Sequence, residues 1–442
     1  MTLLVGDLVE KIAFGPFCLD ETGTRLWRDG AELELRPQAL HALRTLLHSS
    51  GRFVDYEHMI RQAWEGNLVS RHTVAVTVGE VKKALKEYGC WISYRPKLGY
   101  RLEVPHSEDL IRKGWHFWGR QTREGLEKAL CCFEQAASND GADFRAYEGI
   151  SSCYLKLGAY GMRSPREMHE RFLAAHHRAV ALGGLTPELR ADCALALHIF
   201  ERKFAEAESE LLEAQRARPQ AAKIYVTLIM VYVSEGRFDD ALEVMVRTQE
   251  AHVLWPTLPA SEALIRLCLR QFDAAVALGK QAVDLHPFLH LSRVFYAQAL
   301  ECSGQMEEAL AQYRLAWVVS AGPAWIRTLE ARCLAKLRRF DEAWEILPTL
   351  LGIRETEYVD AYHLALLLEA LGRRDEAFDE LERALKENSA TLCFLDVDPK
   401  IDSLRSDPRF PSLRNRVFGG AYGPPPAQAT HTWNPPRVRR SA

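Results

Sequence analysis

Six alanines, Ala207, Ala241, Ala275, Ala309, Ala343 and Ala377, recur at intervals of 34 residues through the second half of the chain. Three residues before each stands Phe204, Phe238, Phe272, Met306 or Phe340, with Arg374 breaking the rule at the last. Twelve before stand Leu195, Ile229, Ala263, Ala297, Ala331 and Ala365, and seven after stand Ala214, Thr248, Ala282, Ala316, Leu350 and Ala384. Small and apolar residues at helical spacing, repeated with a fixed period, do not make a self-contained globule. Each unit must bury its apolar face against the next, so the chain is constrained to an elongated stack of helices.

A period of 34 with this spacing is the tetratricopeptide pattern of two antiparallel helices per repeat. Two further units precede the strict array. The segment GLEKALCCFEQA places Ala129, Phe133 and Ala136 at second-helix offsets, and Ala129 lies 78 residues before Ala207, more than two periods, so extra residues form a loop near Gly158–Pro165. About eight repeats therefore occupy residues 107–389, a capping segment 390–418 and a Pro-rich tail 419–442 that is expected to be disordered. The periodic residues themselves read as core. The exposed inner surface of the first helices is expected to include Phe295, Gln298, Trp325, Arg332, Lys336, Tyr362 and His363, aromatic and charged side chains suited to a protein partner or a small effector.

Composition excludes several classes. Of 442 residues 48% are hydrophobic and 26% charged, which rules out wholesale disorder and a collagen-like repeat. Ten cysteines include no Cys-x-x-Cys pair, so neither a disulfide framework nor a zinc site is expected. Cys131 and Cys132 read as one buried and one flanking thiol, and His169, His176 and His177 as surface residues rather than metal ligands. No basic leader precedes the first apolar stretch, and the longest apolar run, Ile224–Val233, is about half a membrane span. A cytoplasmic protein with reduced thiols and no membrane association is expected. Phosphate-loop, nucleophile-elbow, zinc-protease and dinucleotide-turn motifs are all missing, so no catalytic residue, cofactor or enzyme activity is expected.

Residues 1–106 read differently, as mixed strand and helix. Strands are expected around Ile12–Leu19, Arg25–Trp27 and Glu32–Leu35. A first helix starts at Arg36–Pro37, a second follows Asp55 to about Trp64, and a third runs from Ser70 to Tyr88, closed by Gly89. Trp91–Tyr94 and Tyr100–Val104 then form a short hairpin. The third helix carries Val74, Val78, Val81 and Leu85 on one stripe and His72, Val76, Gly79 and Lys83 opposite, flanked by Lys82 and Lys86. Although the whole chain has a formal charge of −3, Arg71 to Arg101 holds seven basic residues against Glu80 and Glu87. A basic, small-residue helix face beside a basic hairpin is the geometry that enters a DNA major groove while the hairpin follows the backbone.

The ordered series FGPFCLD, LWRDGAELELRPQALHALRTLL, GRFVDYEHMIRQAW, VSRHTVAVTVGEVKKAL and WISYRPKLGYRL resembles the OmpR/PhoB-type winged-helix DNA-binding domain. Glu80 before Val81–Lys82–Lys83–Ala84–Leu85 is closer to the CadC-like and HilA-like branch, and so is the opening of the repeat region. The resemblance implies an α+β winged helix-turn-helix domain followed by an all-α tetratricopeptide solenoid, in a bacterial transcriptional regulator. It implies groove and phosphate contacts at His72, Thr77, Glu80, Lys82, Tyr94 and Lys97, with Arg71, Thr73, Val76, Lys83, Arg95 and Tyr100 completing the candidate interface. Leu98 stands where a wing arginine is common, with Arg95 as its substitute. With the winged helix starting at about residue 10, no phosphoacceptor domain of ~120 residues is expected ahead of it. The expected function is sequence-specific binding of double-stranded promoter DNA, with the array sensing a ligand or recruiting a protein, RNA polymerase among the candidates. The alternative is a scaffold that uses the repeats alone for protein–protein interaction.

Overall fold

The computed structural model describes residues 11–14, 17–20, 22–28, 31–104, 106–250, 257–320 and 322–419. Beyond Gly419, the expected Pro-rich tail lies outside the described residues. The chain divides into two compact units, 1–114 with 131–146 and 115–130 with 147–442.

In the first unit, β1 (Lys11–Phe14), β2 (Phe17–Asp20), β3 (Leu26–Arg28) and β4 (Ala31–Leu33) form an antiparallel meander in sequential order. The β-rich stretch expected around Ile12–Leu19 is two paired strands, with Phe14 opposite Phe17. The β2–β3 turn is organised by the Asp20 carboxylate, which accepts from the hydroxyls of Thr22 and Thr24 at 2.6 and 2.5 Å and from the backbone N–H groups of Thr24 and Arg25 at 2.7 and 2.8 Å. Burial alone would raise its pKa; those bonds outweigh it and hold the carboxyl at about 2.

Three helices follow: α1 (Pro37–His48), α2 (Tyr56–Ala63) and α3 (Arg71–Ala84). Pro37 opens α1 where its missing N–H costs nothing, Asp55 caps α2 through His58 N–H, and Ser70 caps α3 through Thr73 N–H. α3 stops four residues before Tyr88. Lys86 turns left-handed at φ +50°, and a 3₁₀ turn over Lys86–Trp91 brings Gly89 so near the Lys82 carbonyl that a Cβ would stand 2.6 Å from its oxygen. That turn buries Tyr88 against Phe17 and Trp91 against Tyr88. The hairpin β5 (Ile92–Arg95) and β6 (Gly99–Leu102) completes the wing. Val54 exchanges both backbone bonds with Tyr100, at 2.7 and 2.9 Å, tying the wing to the residues that lead into α2.

The helices of the repeat region are α4 (Ser107–Trp118), α5 (Arg123–Asn139), α6 (Phe144–Ala159), α7 (Pro165–Gly183), α8 (Pro187–Ala196), α9 (Phe204–Ala217), α10 (Ala222–Ser234), α11 (Phe238–Glu250), α12 (Leu258–Cys268), α13 (Phe272–Leu285), α14 (His290–Cys302), α15 (Met306–Val319), α16 (Ala324–Lys336), α17 (Phe340–Arg354), α18 (Ala361–Ala370) and α19 (Arg374–Lys386). All six period-defining alanines are fully buried, because neighbouring backbones approach there more closely than a larger side chain allows. The aromatic column is less uniform: Phe204 is buried, whereas Phe340 is 42% exposed. The turn between the helices of each pair carries a left-handed residue at the same register: Arg202, Gly236, Arg270, Gly304, Arg338 and Gly372. The loop expected near Gly158–Pro165 to hold the extra residues is only the short α6–α7 connection over 160–164; the extra length goes into helices instead, α7 running 19 residues.

Two side-chain expectations change. His176 is buried against Phe172, with ring centroids 5.2 Å apart, whereas His177 is exposed. Cys131 and Cys132 are both half-buried, and burial pushes the Cys132 thiol up to about 11.

The capping segment does more than cover the last helix. After 3₁₀ turns at Ala390–Phe394 and Pro399–Leu404 it ends in α20 (Phe410–Phe418). Just ahead of the segment Arg202 donates to Asn388 at 3.2 Å, and along it Arg270 donates to the Val397 carbonyl at 2.6 Å and to Asp402 at 2.9 Å, and Tyr362 to Asp398 at 2.9 Å. The second unit also closes on its own beginning: Arg123 lies 2.5 Å from Glu357, and Gly161 packs beside Tyr358 and Asp360. Among the described residues no helix is long and apolar enough to cross a membrane.

Candidate nucleic-acid interface

α3 buries Val74, Thr77, Val78 and Val81 and turns the opposite side outward. Arg71, His72, Thr73, Val76, Gly79 and Lys83 are exposed there, and Lys82 is half-buried at the margin. Gly79 has nothing within 4 Å of where a Cβ would stand, so the helix presents a shallow step between Val76 and Lys83. Thr77 does not belong to this surface. It is 3% exposed, and its hydroxyl donates back to the Thr73 carbonyl at 3.0 Å, which satisfies a buried polar group locally.

Glu80 is the acidic residue of this helix, and its partner was not legible from spacing along α3. The Arg36 guanidinium, at the N-cap of α1, donates to the Glu80 carboxylate at 2.7 Å, and Arg36 N–H donates to it at 3.3 Å. The Arg36 bond holds the Glu80 carboxyl below its ordinary range. Glu80 thus fastens α3 to the start of α1 and offers little free negative charge to an approaching phosphate.

The wing is built around aromatic rings. Tyr100 is 8% exposed and belongs to the core; its ring lies 5.0 Å from Tyr94 and 6.1 Å from Tyr56. Tyr94 is exposed on its outer edge and hydrogen-bonded to Tyr56, which raises its phenol above the ordinary value. Arg71 lies over the Tyr56 ring at 5.1 Å, so the first residue of α3 and the root of the wing share one aromatic support. Arg95 and Arg101 flank the Phe53 ring at 5.5 and 5.0 Å. Lys97, at φ +70°, and Leu98 are exposed at the tip. Gly99 follows at φ +94°, where a Cβ would stand 2.0 Å from the Val54 carbonyl oxygen. The backbone of the wing thereby carries Arg95 and Lys97 on the same unit as the cationic face of α3. Phe53, Tyr56 and Arg36 were missed as site residues; they act from beneath, and only contact across the fold identifies them.

The candidate residues of the array separate into two groups. Phe295, Gln298, Trp325 and His363 line one cavity of about 210 Å³. Arg332 is buried and paired with Glu301, Tyr362 is buried and bonded to Asp398, and Lys336 pairs with Glu369 at 3.1 Å, so these three do not reach it.

Residues 30–102 match the family model described as transcriptional regulatory protein, C terminal. The transcriptional activator CadC of Escherichia coli (strain K12) is 26% identical over 98 residues, 21% of this chain and 19% of CadC. The transcriptional regulatory protein CutR of Streptomyces coelicolor is 32% identical over 85 residues, 19% of this chain and 39% of CutR. The match thus spans well under half of either relative. Among solved structures, the human IFIT1 dimer with m7Gppp-AAAA aligns at 16% identity and a TM-score of 0.48, covering 80% of this chain and 91% of that one. Yeast Tom70 aligns at 16% identity and a TM-score of 0.43, covering 85% and 84%.

Proposed function

We propose that this chain, whose N-terminal domain is of the OmpR/PhoB type, is a DNA-binding transcriptional regulator that reads promoter DNA with α3 and its wing and receives its signal through the repeat array. The observation that carries the reading is the outward cationic face of α3, Arg71 to Lys83, on the same unit as the Arg95–Lys97 wing, with Glu80 neutralised by Arg36. Phosphates attract such a surface regardless of sequence, while Thr73, Val76 and Gly79 leave room for base edges to approach the helix. The relatives CadC and CutR are transcriptional regulators by name, which supports the same reading.

The array's part is to hold a ligand or a protein such as RNA polymerase. The cavity that gathers four of its candidate residues favours a ligand. The regulator acts where the genome is, in the cytoplasm. Purified full-length protein, mixed with sheared genomic DNA and recovered at two salt concentrations, tests the proposal. A few fragments should stay enriched at the higher salt, because specific contacts outlast counterion release. Uniform or absent enrichment would discard DNA reading and leave the scaffold alternative.

A further inference from the structure

The cavity of the second unit is walled by first helices of the repeats, through Lys156 and Tyr160 of the α6 end, Met230, Leu264, Phe295, Trp325 and His363, and closed by Phe394, Asp398 and Lys400 of the capping segment. A peptide laid along the inner surface would have to displace that segment, which Arg270 and Tyr362 hold in place. The occupant is therefore small. A dry cavity of about 150 Å³ accepts benzene, and this one measures about 210 Å³, room for a single ring with a short substituent.

The charges of the wall nearly cancel. Asp398 and Lys400 pair at 2.8 Å, and His363 Nδ1 lies 2.7 Å from Asp360. Lys156 is the exception. Its ammonium sits 5.9 and 5.2 Å from the ring centroids of Trp118 and Tyr160, with no carboxylate partner among the described residues. Trp325 adds a buried indole N–H that finds no acceptor among the described residues. An apolar wall with one unpaired cation and a spare donor calls for an apolar body bearing a single negative charge.

We propose that this cavity is the array's ligand site and that it takes a single-ring aromatic carboxylate, its ring among Phe295, Trp325 and Phe394 and its carboxylate toward Lys156. The proposal deepens the signal-receiving role given to the array above and rests on it for its purpose, though not for the binding itself.

Titration calorimetry of the full-length chain without DNA tests it, with phenylacetate as probe and phenethylamine and 2-phenylethanol as its cationic and neutral counterparts. Phenylacetate should bind saturably at one site per chain, about tenfold more tightly than phenethylamine, since a charge-assisted bond contributes on the order of 1.5 kcal/mol. Lys156→Met should weaken phenylacetate about tenfold and leave 2-phenylethanol unchanged, and Ser261→Phe, which fills the cavity, should abolish both. No saturable phenylacetate binding at millimolar concentration, a preference for the amine, or phenylacetate binding unchanged in Lys156→Met would each overturn the proposal. Should Ser261→Phe fail to fold, as read from its circular dichroism, the charge preference and its loss in Lys156→Met decide alone. With no DNA in the cell, a negative result leaves the DNA-binding reading standing, and failed DNA capture leaves this one standing.

Discussion

Lys83 and Thr77 lie six positions apart on the same helix, and their fates differ because the helix turns about 100° per residue. Lys83 is exposed, whereas Thr77 is buried and bonded to the Thr73 carbonyl. Lys83→Ala and Lys97→Ala should each lower the slope of log affinity against log salt by about one. Thr77→Val should leave that slope unchanged; anisotropy titrations on one promoter fragment distinguish them, and equal slopes in all variants would remove both lysines from the interface. A second expectation concerns Asp20. Its folded pKa of about 2 lies below the ordinary 3.8, so its contribution is complete above pH 3.8 and is lost as pH falls toward 2. Asp20→Asn should destabilise the winged helix by about 1 kcal/mol at neutral pH, the shift being discounted for solvent screening, with the gap closing toward pH 2 in denaturant titrations; a gap independent of pH would mean the turn depends on shape rather than charge. The apolar stripe of α3 was legible from spacing. The burial of Thr77 and Tyr100 was not, because motif positions name residues without saying which way the surrounding elements press.

Each turn within a repeat from α8 to α19 needs a residue in the left-handed region, and the chain supplies arginine and glycine alternately. A left-handed non-glycine residue costs roughly 1 kcal/mol, so an arginine there needs a return. Arg202 and Arg270 have one, in bonds to Asn388 and to Val397 and Asp402. Arg338 is exposed and makes no bond of that kind among the described residues. Arg338→Gly should therefore be neutral or stabilising by up to about 1 kcal/mol, and Arg270→Gly destabilising by about 1–2 kcal/mol. Denaturant midpoints of the two variants moving in the same direction would sink the argument. The helices themselves were readable: Pro37, Asp55 and Ser70 are local signals that act within a few residues. The stop of α3 at Ala84 was not, since it depends on Gly89 meeting the Lys82 carbonyl and on Tyr88 finding Phe17 across the fold.

For the second unit as a whole, the capping segment is structural wall as well as cap. Ending the chain after Asn388 removes Phe394, Asp398 and Lys400 from the cavity and releases Arg270 and Tyr362 from their partners. The truncated protein should bind an apolar dye strongly and melt at lower temperature than the intact chain. An unchanged melting temperature without dye binding would show the segment to be dispensable. The 34-residue period foretold the stack and which helices face inward, but a period carries no information about how far the stack winds. Hence Phe295, Gln298, Trp325 and His363 were placed on one inner surface from register alone, while the segment that covers them was read only as an end.

The meeting of Arg123 with Glu357, and of Gly161 with Tyr358 and Asp360, has a further result. An open solenoid tolerates gain or loss of a unit, because every interface but the terminal ones is the same. Here the first turn of the array must arrive opposite the last, so one unit more or fewer would swing those partners past each other. Repeat number in this molecule is thereby coupled to the contact between the two ends of the second unit, a constraint that an open solenoid does not carry.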